Sequence, residues 1–380
     1  MHLLYLHNGR FPSSRAHAVQ IVKMCNAFVG QGLTVTLAHT DRPTDISEDP
    51  AEYYGEPLQF ATTPVPVFDA VRRLQNMPAR VKQVGFFVQR LSFFLRLPKL
   101  QRFDLIYGRD PLLLWLASFI VGPGRVCYES HDATYDFFSR RLFRAGARCV
   151  VISEGIRDAY VARGVSQDQL LVAHDGIDDA FFGELETKEV ARQRLGLPQA
   201  ARIAMYIGGF DTWKGVETFF AAAEHAPEIS FVAIGGKPGE VEQFREKYPQ
   251  VTFLGSRPYR ELPDNQQAAD VLVVPNTAKN ELSATYTSPL KVFAHLASGV
   301  PLVLSDIRSL RNAVPADVAW WAVSDDPKEF AGVVCSASAH TRVTDERMRR
   351  ATKIARQFTW DNRVKKVLSF VTEADIMPRT

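Results

Sequence analysis

Short apolar runs alternate with amphipathic segments along the whole chain. Near the start, the runs Leu3–His7 and Val35–Ala38 flank Ala16–Gly30, in which apolar residues recur at helical spacing. This arrangement predicts a βαβ unit, the opening of a doubly wound parallel sheet. Further strands are predicted at Leu105–Tyr107, Val126–Tyr128, Val150–Ile152 and Gln169–Ala173. Residues 41–68 are rich in Asp, Glu and Pro and lack periodicity, so we expect a long irregular connection there.

The second half repeats the same rhythm, with helical patterns between apolar runs. Its predicted strands are Ile203–Ile207, Phe231–Ile234, Val251–Leu254, Val271–Val274 and Leu302–Leu304. Alternating strands and helices favour an α/β fold with parallel sheets. A chain of 380 residues is long enough for two such domains.

Composition narrows the class of protein. Hydrophobic residues make up 46% and charged residues 23%, which is ordinary for a globular protein, and a formal net charge of +3 does not indicate nucleic acid as a partner. The four cysteines lie in apolar runs without CxxC spacing, which favours buried free thiols. Since we find neither a membrane-spanning run nor the basic start of a signal peptide, we expect a cytoplasmic protein.

The segment TSPLKVFAHLASGVPLVLSD, residues 287–306, carries the clearest chemical signal. Thr287 or Ser288 can cap a helix, and Pro289 suits its first turn. A helix start with hydroxyl groups and with Lys291 one turn in is suited to an anion such as a diphosphate.

This segment resembles the donor-binding helix of the family 4 glycosyltransferases. Three further segments match that family in the expected order: VVISEGIRDAY from Val150, YIGGFDTWKGVETF from Tyr206 and VTFLGSRPYRELPDNQQAADVLVVPN from Val251. The resemblance implies a GT-B architecture of two Rossmann-like lobes facing an interlobe cleft. It places an acceptor-side lobe at residues 1–178, a nucleotide-sugar lobe at 179–356, and a helix crossing back onto the first lobe at 357–380.

The resemblance also implies a function and a set of residues. The function is retaining transfer of a hexosyl group from a nucleoside-diphosphate sugar to a glycan or lipid-linked acceptor, without metal or other cofactor. His131 and Lys214 are the expected catalytic residues. The expected donor-binding residues are Gly208, Gly209, Lys214, Thr287, Ser288, Pro289, Leu290 and Lys291. The loop after the first strand supplies the expected acceptor-binding residues, which are Gly9, Arg10, Arg15 and His17.

Two departures from the family pattern bear on the donor. The paired glutamates of the family would fall at Tyr286 and Ala294, neither of which is acidic, so the usual acceptor for the ribose hydroxyls is missing. An arginine that often accompanies Lys214 is replaced by Gly209. Lys291 or Arg10 is a candidate for the second positive charge.

Residues 71–103 contain no acidic residue and interleave basic side chains with phenylalanines, including Phe86, Phe87, Phe93 and Phe94. This pattern suits peripheral contact with an anionic membrane, on the inner face of the cytoplasmic membrane. A helix packed on the sheet with its arginines in water explains it equally well.

The sequence is also compatible with other functions. The missing glutamates allow a non-catalytic nucleotide-sugar-binding or scaffold protein of the same fold. An isomerase of nucleotide sugars would share the architecture, but we find no matching set of acids and bases. A nicotinamide dehydrogenase is disfavoured because no GxGxxG follows the first strand.

Overall fold

The computed structural model describes residues 1–13, 16–44, 46–69, 77–288, 290–339 and 341–372. The chain divides into two compact units. The first unit comprises residues 1–152 and 156–173 together with the chain from Trp360 onward. The second comprises residues 153–155 and 174–359.

The described part of the first unit is built on a parallel sheet in the order β3-β2-β1-β4-β5-β6-β7. Its strands are β1 (His2–Arg10), β2 (Thr34–Asp41), β3 (Ala61–Pro66), β4 (Leu105–Gly108), β5 (Val126–Ser130), β6 (Arg148–Val151) and β7 (Leu170–Val172). Every residue of β4 and β5 is buried, as expected for central strands of a parallel sheet.

Helices follow most of these strands. They are α1 (Ala16–Gly30), α2 (Pro50–Tyr54), α3 (Ala79–Leu95), α4 (Pro111–Val121), α5 (Phe137–Arg144) and α6 (Glu154–Val161). Asp110 caps α4 by accepting hydrogen bonds from the backbone of Leu112 and Leu113, and Asp136 caps α5 in the same way.

The prediction of an irregular connection over residues 41–68 was wrong, because α2 and β3 lie there. The strand contains Pro64 and Pro66, so its sequence does not form an apolar run and does not predict a strand. It forms the edge of the sheet beside β2, where a missing backbone N–H costs little.

The second unit holds a parallel sheet in the order β10-β9-β8-β11-β12-β13 within its described residues. The strands are β8 (Arg202–Ile207), β9 (Ile229–Ile234), β10 (Val251–Gly255), β11 (Val271–Val274), β12 (Leu302–Ser305) and β13 (Trp320–Ala322). The short edge strand β13 was not predicted from the sequence.

The helices of the second unit alternate with these strands. They are α7 (Lys188–Leu195), α8 (Val216–Ala222), α9 (Pro238–Lys247), α10 (Leu262–Gln267), α11 (Leu290–Ala297), α12 (Arg308–Ala313), α13 (Pro327–Ala337) and α14 (Arg342–Ala355). The last described helix, α15 (Trp360–Thr372), belongs to the first unit and packs against α1.

The phenylalanines of the basic stretch have different surroundings. Phe86 and Phe87 on α3 are 46% and 41% exposed, whereas Phe93 is fully buried and Phe94 is half-buried. Arg72 and Arg73, at the start of the stretch, lie outside the described residues. Within the described parts of the chain, no helix is both long and apolar enough to cross a bilayer.

Candidate functional site

A cavity of about 430 Å³ lies in the first unit at the carboxyl ends of the central strands. Its walls are formed by residues of β1 and β5 and by residues that follow β4 and β5, together with residues of α1 and α3. The strand order reverses between β1 and β4, and such a switch point is where doubly wound sheets bind ligands. His131, the predicted catalytic histidine, lies in the wall that follows β5.

The buried carboxylate of Glu129 orients His131. Because an ionised carboxylate only accepts, Nε2–H of His131 donates to Oε1 of Glu129, at 2.5 Å. Gln20 of α1 donates to the same oxygen at 2.8 Å. These two bonds fix the imidazole at the cavity wall with its other ring nitrogen, Nδ1, outside this contact.

Two arginines compensate the charge of Glu129. Nη2 of Arg109 lies 3.1 Å from Oε1, and Nη2 of Arg363 lies 3.3 Å from Oε2. The Tyr107 hydroxyl also donates to this carboxylate. Burial alone would raise the pKa of Glu129, but the charges of Arg363 and Arg109 outweigh it and hold that pKa well below its usual value. Since Arg363 lies on α15, the C-terminal helix stabilises the surroundings of His131.

The predicted acceptor-binding residues are distributed around the end of β1. His17 lines the cavity, whereas Gly9 and Arg10 are not among its described lining residues. Gly9 lies under the imidazole of His7, so that a Cβ at this position would come within 2.5 Å of that ring. Arg15 lies outside the described residues.

In the second unit, two lysines converge on the predicted glycine pair. A Cβ on Gly209 would lie 2.9 Å from Nζ of Lys214, and a Cβ on Gly208 would lie 3.5 Å from Nζ of Lys291. Nζ of Lys291 also donates to the Tyr206 hydroxyl at 3.2 Å. The absence of side chains at both glycines therefore leaves room for two ammonium groups.

The charge of Lys214 acts on two neighbouring groups, Asp211 and Lys291. Lys214 pairs with Asp211 at 2.7 Å, and the hydrogen bond from Lys214 lowers the pKa of that carboxyl. Desolvation and the nearby charge of Lys214 hold the pKa of Lys291 well below that of an ordinary lysine. An anion bound beside Lys291 would favour its charged form.

Gly215 fixes the loop that carries Lys214. Its φ of 64° lies in the left-handed region, and a Cβ there would come within 2.3 Å of the Pro275 carbonyl oxygen at the end of β11. Only glycine allows this close approach, which explains the Trp-Lys-Gly order of the motif.

The donor segment before α11 is only partly described. Thr287 and Ser288 are both buried, and the Ser288 hydroxyl lies 3.2 Å from Nδ1 of His174. Pro289 lies outside the described residues, and Leu290 begins α11. Ala294, where the family has a glutamate, is 2% exposed within the apolar core of the unit.

Several residues of these sites were not selected from the sequence. Glu129 and Arg109 end or follow buried strands, so the rule that selected His131 would have found them as well. Arg363 gives no such signal, because it approaches Glu129 from a helix more than two hundred residues later in the chain.

Comparison with known families gives a match over residues 201–340 to the family described as "Glycosyl transferases group 1". D-inositol 3-phosphate glycosyltransferase of Xylanimonas cellulosilytica is 28% identical over 227 residues, 56% of this chain and 53% of the relative. The enzyme of the same name from Corynebacterium urealyticum is 26% identical over 256 residues, 62% of this chain and 57% of the relative. The chain thus spans little more than half the length of these relatives.

Solved structures match over nearly the whole chain. HepE of Anabaena, in a complex with UDP and glucose, gives a TM-score of 0.69 at 18% identity, covering 97% of this chain and 99% of that one. WaaG, a glycosyltransferase involved in lipopolysaccharide biosynthesis, gives a TM-score of 0.67 at 13% identity. The match covers 97% of this chain and 99% of that one. At these identities the likeness concerns the fold, and it confirms the predicted pair of Rossmann-like lobes. The chain has the GT-B fold, and its residues 201–340 match the family of group 1 glycosyltransferases.

Proposed function

We propose that this protein transfers a sugar, with retention, from a nucleoside-diphosphate sugar to a glycan or lipid-linked acceptor. The observation that carries the proposal is the convergence of Lys214 and Lys291 on the backbone of Gly208 and Gly209. Two lysine side chains beside half-buried glycine backbone suit a diphosphate, whose charge increases as it leaves. HepE, whose fold is the same, was solved with UDP and glucose.

In the proposed step, the bond between C1 of the sugar and the diphosphate oxygen breaks as the acceptor oxygen bonds to C1. The proton of the acceptor hydroxyl passes to the departing diphosphate on the same face, which retains the configuration. Lys214 and Lys291 stabilise the developing charge. Lys291 supplies the second positive charge, which comes from an arginine at the position of Gly209 in the family pattern. In this proposal the lysines neutralise the diphosphate, so turnover should survive removal of divalent metal by EDTA.

We also propose that the enzyme meets its acceptor at an anionic membrane, on the cytoplasmic face. An aromatic patch in the first unit supports this; its rings are Phe86, Phe87, Trp115, Phe119, Phe137 and Phe138. Phe119 is 71% exposed and Phe137 is 47% exposed. The exposed residues Arg140, Arg141 and Arg144 lie on α5 beside the patch, and Arg141 stacks on Phe137.

The patch and the cavity meet at one residue. Phe86 contributes to both, and the Arg90 guanidinium lies 5.5 Å from the centroid of the Phe86 ring. An acceptor headed by a sugar and anchored by a lipid would place its two ends in these neighbouring surfaces. Such an acceptor belongs to the chemistry of cell-surface polysaccharides and glycoconjugates.

A direct assay separates this proposal from a non-catalytic nucleotide-sugar-binding protein. The purified chain is incubated with a set of nucleotide sugars, beginning with UDP-glucose, and the release of nucleoside diphosphate is measured with and without a membrane extract as the source of acceptor. We expect release that depends on one donor and increases with acceptor. Tight donor binding without any release would favour the non-catalytic alternative.

A further inference from the structure

The cavity of the first unit has an unusual balance of charge. Among its described lining residues, the basic groups of fixed charge are Arg90 and Arg109, and the carboxylates are Asp110, Glu129, Asp132 and Asp136. The carboxylates thus outnumber the guanidinium groups by two to one. Arg363 also pairs with Glu129 without lining the cavity, and counting it leaves one carboxylate in excess, so a phosphate group would still meet a net negative wall.

Both arginines already have carboxylate partners. Arg90 forms a two-point contact with Asp110, in which its Nε lies 2.7 Å from Oδ2. Arg109 pairs with the buried Glu129 and also donates to Gln20. Binding a phosphate through either guanidinium would require it to share or break these contacts.

Two uncharged side chains of the cavity, His7 and Asn8, carry polar atoms that a ligand could satisfy. Nε2 of His7 and both polar atoms of the Asn8 side chain are buried and have no hydrogen-bond partner among the residues that the structure describes. Burial, reinforced by the charges of His17 and Arg109, lowers the pKa of His7 to about 3, so its imidazole is neutral at physiological pH. A neutral imidazole and a carboxamide offer both donors and acceptors, which is the combination that hydroxyl groups require.

We propose that this cavity binds an uncharged, hydroxyl-rich ring, a sugar or polyol without phosphate, as the acceptor group. The inference rests on the proposed function and extends it to the class of acceptor. His7 and Asn8 bind the hydroxyl groups, and the half-exposed Phe86 ring contacts the apolar face of the sugar. The four carboxylates exclude phosphorylated forms of the same ring.

Binding measured without donor tests this inference independently of catalysis. Dissociation constants are determined by NMR titration for two matched pairs of probes: methyl α-D-glucopyranoside with glucose 6-phosphate, and myo-inositol with its 3-phosphate. We expect the neutral member of at least one pair to bind about tenfold or more tightly than its phosphorylated partner, because like charges oppose the phosphate. Equal or tighter binding of the phosphorylated members, or no binding by any probe, would overturn the inference.

Neutralising the cavity carboxylates should reduce this discrimination. In the double variant Asp132→Asn, Asp136→Asn the side-chain oxygens that accept from the backbone remain available, so the local turns are retained. The matched control is Asp168→Asn, an exposed position of the same unit outside the cavity. We expect the preference for neutral probes to fall severalfold in the double variant and to persist in the control. An unchanged preference in the double variant would contradict the electrostatic argument.

The activity assay separates the two proposals. A protein that binds the neutral probes but releases no nucleoside diphosphate would refute the transferase function while supporting the assignment of the cavity. A protein that transfers sugar to a phosphorylated ring would support the transferase function and refute the assignment of the cavity.

Discussion

At the scale of single residues, Lys214 contributes most directly to the proposed chemistry. Its ammonium group lies beside Gly209 and pairs with Asp211, a partner that a bound diphosphate can replace or share. The charge of Lys214 also contributes to the lowered pKa of Lys291. The two lysines therefore form one site, in which the charge of Lys214 disfavours the charged form of Lys291 until an anion binds.

Replacing Lys214 with alanine should lower kcat/KM by at least about tenfold, because a charge-assisted contact to the leaving diphosphate is lost. Release of nucleoside diphosphate measures the effect. Lys247→Ala is the matched control, since Lys247 forms a similar lysine–carboxylate pair with Glu217 in the same unit. Near-normal turnover in folded Lys214→Ala protein would remove this residue from the site.

Glu129 is the residue on which the first site depends. Substituting Glu129→Gln should lower the free energy of unfolding of the first unit by about 3–5 kcal/mol, because Arg109 and Arg363 would lose the buried charge that compensates them. Urea denaturation, followed by tryptophan fluorescence, measures the loss. The exposed Glu52→Gln serves as control, and a loss below about 1 kcal/mol would show that the network contributes little to stability.

At the scale of elements, the sequence predicts the central strands well but misses two of the four edge strands. β1, β4, β5, β8 and β11 each contain a run of buried apolar residues, as is usual for strands that are covered on both faces. The edge strands β3 and β13 escape prediction, because a strand with one unpaired side tolerates prolines and short length.

The same contrast applies to the candidate sites. Lys214 and His131 follow strands and could be selected from local sequence, whereas Arg363 meets Glu129 only because α15 packs against α1. The compensation of Arg90 by Asp110 is equally invisible in the sequence, although it decides whether that arginine is available to a ligand. Tertiary packing, and not local pattern, determines these partnerships.

The aromatic patch on α3, α4 and α5 leads to a prediction about membranes. The double variant Phe119→Ser, Phe137→Ser should reduce binding to anionic vesicles by at least about tenfold, because burying a phenylalanine contributes roughly 1.5–3 kcal/mol. Co-sedimentation with vesicles of phosphatidylglycerol and phosphatidylcholine measures it, at low and high salt.

The control for this experiment is Val343→Ser, which replaces an apolar residue that is 63% exposed in the second unit. Binding of the wild-type chain should weaken as salt rises, because the arginines of α5 attract the anionic lipid. Equal recovery with neutral and anionic vesicles, or unchanged binding of the double variant, would refute the membrane contact.

At the scale of the whole molecule, each unit contains a neutral histidine close to its candidate site. His7 lies at the end of β1 in the first unit, and His295 lies on α11 in the second, where it accepts a hydrogen bond from Gln266. Burial, with the charge of Lys291, lowers the pKa of His295 to about 3, similar to that of His7. Both imidazoles must therefore gain a proton on unfolding at mildly acidic pH.

This difference in proton binding gives the stability of both units a pH dependence of known sign. The unfolded chain binds more protons below the ordinary histidine pKa of about 6.5, so the stability is complete above that pH and is lost progressively towards pH 3. At pH 5 each histidine should have lowered the free energy of unfolding by roughly 2 kcal/mol. Thermal unfolding at pH 7.5, 6 and 5 measures the trend. The variant His295→Gln should show a smaller loss of stability on acidification. The control His225→Gln, at an exposed position, should show the same loss as the wild type. Equal melting temperatures at pH 7.5 and 5 would contradict the lowered pKa values of these two imidazoles in the folded protein.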